Sequence, residues 1–149
     1  MVRQSIITNL LNMLQGIRIS DGYKTDVGTK VFEWREIAIE LADCPCLIVR
    51  DTTDEIEDQG VHDHAHKLTI TVTCIAAGTS AVEDARKIEA DIYEAIGTDL
   101  SIGNQAYWTE WQGSAMQVQH EENIFANILI TLLVLYKTPA FNADKILNI

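Results

Sequence analysis

The closing stretch Ile128-Leu129-Ile130-Thr131-Leu132-Leu133-Val134-Leu135-Tyr136 limits the possible folds more than any other feature. Read as a strand over 124–137, it places Leu129, Leu133 and Leu135 on one face and Ile128, Ile130, Leu132 and Val134 on the other. A strand apolar on both faces belongs inside a sheet, with helices on one side and another layer, or another subunit, on the other. The run is broken by Thr131 and far too short to span a bilayer as a helix, so no membrane contact is expected.

The rest of the chain supplies elements to cover such a sheet. Ile6, Leu10, Met13 or Leu14, and Ile17, widened by Ile7 and Leu11, predict an amphipathic helix over 3–15 that stops at Gly16. A loop rich in turn residues follows, with Asp21-Gly22 and Val27-Gly28, then a short strand at 30–34. Residues 35–45 read as irregular, because Pro45 pushes its predecessor toward extended geometry. Strands are expected at 46–51 and 66–76, separated by an acidic loop at 52–61.

A second helix over 80–97 is expected to start on a capping box of Ser80 and Glu83, bury Val82, Ala85, Ile88, Ile92 and Ala95 or Ile96, and close at Gly97. Residues 106–112 and 115–120 read as a hairpin-like pair about Gly113. The sum is an α+β chain forming one domain over 1–149, a mixed or antiparallel sheet with two helices on one face. That length buries about two thirds of the unfolded surface, enough for a core without staples.

The net charge of −11, from 22 acidic against 11 basic residues, argues against holding nucleic acid by neutralising phosphates. The acids at 50–58 read as a solvated loop and those at 83–94 as a helix face. An N-terminal segment with Asn9, Asn12 and Gln15 among its apolar residues is unlike a secretory signal, so the chain is expected to stay where it is made. Three cysteines are an odd count, and Cys44 and Cys46 flank Pro45 too closely for an unstrained disulfide, which suits a reducing cytosol.

His62, His64 and His66 raise the question of a metal site. On a strand all three share one face, but the outer pair would be about 13 Å apart at Cα, more than ligand bonds of about 2 Å can close. A metal could take at most two of them, His64 and His66 as candidates, with ligands from elsewhere such as His120 or a carboxylate of the acidic loop at 52–61. The simpler reading leaves His62 and His64 at the loop end and lets His66 cap the buried face. The cysteines precede a strand or face the core, with no helix start or cation to activate them. No hydrolase, Walker or dinucleotide motif is present, so neither enzyme activity nor a cofactor is expected. Trp108 and Trp111 fall on opposite sides of a strand, so one can enter the core while the other is left near the surface or an interface; taken singly, each of Trp34, Trp108 and Trp111 reads as core.

The phrases DGYKTDVGTKVFEW, CPCLIVRD, HKLTITVTCIA, SAVEDARKIEADIYEAIGTD and ILITLLVLYKTPAFN, in this order along the chain, resemble the tail terminator (tail completion, minor tail) proteins of lambda-like long-tailed bacteriophages. The resemblance covers about the whole chain. The triple histidine and Cys44-Pro45-Cys46 have no counterpart in the family pattern.

The resemblance implies a homo-oligomeric ring, a hexamer in the family, on the head-proximal end of the tail tube. Such a ring stops tube polymerisation, joins the head-completion protein and lets DNA pass without specific binding. The protein would then belong to the virion tail, assembled in the cytoplasm of the host bacterium. An acidic lumen would repel phosphates. Candidate contact regions are the 22–28 loop with Tyr23 and Asp26, the 51–64 segment with Asp54, Glu55, Glu57, Asp58, His62 and His64, and the residues after Pro139. Alternatives are a head-closure or tube-related structural protein and, from another class, a metal-binding enzyme or sensor using the histidines. A pH-sensitive contact through His62 and His64 is a further expectation.

Overall fold

The computed structural model describes residues 1–147. Helix α1 (Val2–Gln15) turns Ile6, Leu10 and Leu14 inward, resolving the choice between Met13 and Leu14. Gly16 does close the helix, in an ordinary right-handed conformation with its N–H on the Met13 carbonyl. Strand β1 (Val31–Glu33), strand β2 (Cys46–Gln59), strand β3 (Asp63–Ala77), helix α2 (Ala81–Gly97), strand β4 (Trp108–His120) and strand β5 (Ile124–Pro139) follow. Among the described residues no helix is long and apolar enough to cross a membrane.

The five strands form one sheet in the order β1-β2-β3-β5-β4. It is mixed because β1 runs parallel to β2 while the other neighbours are antiparallel. Both helices cover one face, where Ile6, Leu10, Ile88 and Ile92 meet Leu68, Ile70, Val72, Ile128, Ile130 and Leu132 in the main core. Each such side chain contributes about 1.5–3 kcal/mol when fully buried. The fold class read from the sequence is therefore the observed one.

Three local readings are corrected. The acidic stretch 52–59 is strand, not loop: β2 runs on to Gln59, paired to β3 with bulges at Thr52 and Glu57. Acids are tolerated there because alternate side chains of a half-covered strand point to water, where Lys67 Nζ lies 3.7 Å from Glu55 and 3.4 Å from Glu57. Residues 108–120 are likewise one strand instead of a hairpin pair, because Gly113, at φ 147°, accommodates a bulge between Trp111 and itself. Finally, the Ser80 side chain makes no capping bond, and α2 continues through Gly97 until Thr98 Oγ1 donates to the Ala95 carbonyl at 2.6 Å. Glu83 and Asp84 still favour the start electrostatically.

The second face of the sheet is only partly covered. Segment 34–45 folds over one end, where its Ile39 and Cys44, with Phe32 of β1 and Phe125 of β5, pack on Cys46, Ile48 and Ile75. Beyond it Leu129 is 44% exposed and Trp108 49%, with Leu133 and Leu135 half-buried. The two-faced apolarity of β5 is thus matched on one side only.

Candidate assembly surfaces

The hairpin end of the sheet carries most of the candidate residues, and the structure sorts them. Asp54, on the helix-facing side of β2, receives the Tyr136 hydroxyl and lies 3.1 Å from His66 Nδ1. His66 Nε2 is 2.9 Å from Thr138 Oγ1, and its ring stacks on Tyr136 at 4.4 Å. Burial, then the Asp54 carboxylate, raises the Tyr136 pKa, which keeps the phenol a donor. Carboxylate, imidazole and hydroxyl stand in the order of a nucleophilic triad, but Thr138 is only 3% exposed and offers a substrate no access. The cluster's work is to hold β2, β3 and β5 together where the apolar core ends.

His64 is corrected: it is 7% exposed, with Phe141 edge-on at 4.8 Å, and is no free contact residue. Asp54 is also withdrawn into the network described above. His62, Glu55, Glu57 and Asp58 are exposed, so only these four of the hairpin candidates can meet a partner directly. Alanine replacements at the two histidines should therefore differ: His62→Ala is expected to be silent in urea denaturation, whereas His64→Ala should cost about 1–2 kcal/mol.

The metal reading loses its geometry. His64 and His66 pair with Thr138 and Tyr136 of β5, whereas His120 pairs with Ile124 at the opposite end. The 12 positions between Ile124 and Tyr136 span roughly 40 Å. Among the described residues no three potential ligands converge.

In the 22–28 loop, Asp26 is exposed but accepts the Ile19 N–H at 2.8 Å, and half-buried Tyr23 packs against the main core. The residue that fixes this loop is not among the sequence candidates. Asp91 of α2 is fully buried and accepts the Lys24 N–H at 2.9 Å, the Thr25 N–H at 2.8 Å and the Thr25 hydroxyl at 2.6 Å. Its signal was present, since position 91 falls inside the buried stripe of Ile88, Ile92 and Ala95.

Burial favours the protonated thiol at all three cysteines. Burial raises the pKa of both Cys46 and Cys74 to about 12, so neither forms thiolate near neutrality. Burial also raises that of Cys44, with the Asp43 charge adding to it. Trp108 and Trp111 do part: Trp108 is exposed, while half-buried Trp111 meets Tyr93 of α2 at 5.0 Å. Trp34 is corrected from core to surface, 43% exposed, with its indole N–H on Asp51 at 2.6 Å.

Asp51 also takes Arg3 Nε at 2.7 Å, tying α1 to β2. Desolvation opposes its ionisation, but the Trp34 and Arg3 bonds outweigh it and lower the pKa. The Ser101 hydroxyl and Gly103 amide lower that of Asp99. Folded values below the unfolded value of about 3.9 mean that this stabilisation is present above that pH and fades as pH falls through the lower folded values. Urea midpoints should therefore hold from pH 7 to 5 and drop below about pH 4, and Asp51→Asn should make the acid-side drop shallower.

Compared with known protein families the sequence matches none, and no curated protein matches it. The surface presents a half-open sheet face, an acidic hairpin and an exposed edge strand.

Proposed function

We propose that the protein is a virion assembly protein of the tail-terminator kind, which forms a ring on the head-proximal end of a tail tube, stops its growth and presents a face to the head-completion protein. The observation that carries this reading is the uncovered half of the sheet, where Leu129, Leu133, Leu135 and Trp108 offer apolar area to a neighbouring subunit. The resemblance running the length of the chain supports it. So does the charge of −11, which lets DNA slide past without sticking. Repeated contacts between unlike surfaces close into such a ring without catalysis.

The experiment is electron microscopy of tail tubes mixed with the purified protein. Capped tubes of arrested length, with a ring at one end, are the expected result. Tubes that grow unchanged and bind no protein at their ends would sink the proposal.

A further inference from the structure

The two lateral edges of the sheet are built differently. On one side β1 covers only Leu47–Val49 of β2. Beyond it the outer edge of β2 is guarded by the exposed Glu55, Glu57 and Asp58 and broken by bulges at Thr52 and Glu57. Charges and bulges are how proteins keep an edge strand from pairing.

The other edge, β4, has little of this protection. It is 13 residues long and outermost, so among the described residues the backbone groups on its outer side meet no other strand. From Trp111 to His120 it holds no Asp, Glu, Lys, Arg or Pro. Its one bulge lies between Trp111 and Gly113, after which the register with β5 is regular to His120. Ser114 to His120 are all exposed, Met116 at 36% and Val118 at 38%. An uncovered, uncharged edge of this length is a pairing surface.

We infer that β4 pairs with β4 of a second copy, antiparallel about a two-fold axis near Gln117. In that register Gln117 lies opposite its own counterpart and Met116 opposite Val118 of the other copy, so both exposed apolar side chains gain an apolar neighbour. No like charges meet. The acids and bulges of β2 make it the poorer match for a continuous ladder. Eight residues from Gly113 to His120 span about 27 Å. A strip roughly 20 Å deep along that length buries on the order of 1,100 Å² in total, the low end for a specific contact. The dimer is therefore concentration-dependent. A two-fold contact does not build a head-to-tail ring, so this inference goes beyond the tail-terminator reading and stands on β4 alone.

The test is light scattering of the full chain over micromolar to about 1 mM concentration, with no tubes present. The expected result is a mass rising toward twice the monomer, shifted at least tenfold to higher concentration by Val118→Lys and unchanged by Arg86→Gln on the exposed side of α2. Gln117→Cys, on the axis, should form a disulfide-linked dimer on mild oxidation. Circular dichroism of each variant verifies folding, and Met116→Lys replaces Val118→Lys should the latter unfold. A monomer up to about 1 mM overturns the inference, as does association insensitive to both lysines. Dissociation by lysine without the Gln117→Cys cross-link means that β4 takes a different strand, and overturns self-pairing. None of these outcomes bears on whether the protein caps tubes.

Discussion

Replacing Gly28 by alanine is expected to destabilise the protein by about 3 kcal/mol, the upper part of the range for overpacking a buried site. The new Cβ would lie 2.6 Å from the Gln15 carbonyl oxygen and 2.7 Å from those of Leu14 and Ile17. All three are backbone atoms at the end of α1, so no side chain can swing aside. The same turn is tied to the chain just past the helix, since the Gly28 N–H donates to the Ile17 carbonyl at 3.1 Å. For a chain of this size the change lowers Tm by roughly 6–12 °C. Gly97→Ala is the contrast: it sits in α2 with nothing near its missing Cβ, and should stabilise by about 0.5–1 kcal/mol. Urea melts of the two variants move in opposite directions. Equal shifts would contradict the packing argument.

Both glycines read alike in the sequence, as places where chain direction changes. Only the tertiary contact at Gly28 separates them, and that is the general pattern of what could and could not be read. Periodicity found α1, α2, β3 and β5, because each has a stripe long enough to outvote its exceptions. It failed for residues 52–59 and across Gly113. There, local composition suggested a loop and a turn, whereas pairing to β3 and to β5 decided the outcome.

The surface was legible in the same uneven way. Alternation placed His64 and His66 on the face of Leu68 and Ile70, which is correct, but it could not show that Phe141 and Thr138 return to close over them. The acids illustrate the limit from the other side. Counting charge treats Asp54, Glu55 and Asp91 alike. The structure puts the first in a network with His66 and Tyr136, the second in water and the third under a loop. The β4 edge needed the strand order, since a neutral run such as Gln112–Gln119 signals an unguarded edge only once it is known to be outermost.

Removing the Asp91 carboxylate should cost about as much as filling the space at Gly28. Its three donors, Lys24 N–H, Thr25 N–H and the Thr25 hydroxyl, all lie within 2.9 Å. A bond to a charged acceptor contributes about 1.5–3 kcal/mol, and donors left without a partner add to the loss. Asp91→Ala is therefore expected to destabilise by about 3–4 kcal/mol in urea denaturation. Asp91→Asn, which keeps one acceptor oxygen, should lose about half of that. A loss below about 1 kcal/mol for the alanine variant would mean that water replaces the carboxylate, and that the 22–28 loop is held by Val27 and Gly28 instead. The two sites also act on one piece of chain, because Asp91 clamps residues 24–25 while Gly28 seats the same loop on α1. Once either anchor is gone the other has less ordered structure to hold. The double variant should therefore fall short of the summed losses by about 1 kcal/mol or more, outside the additivity seen for independent sites.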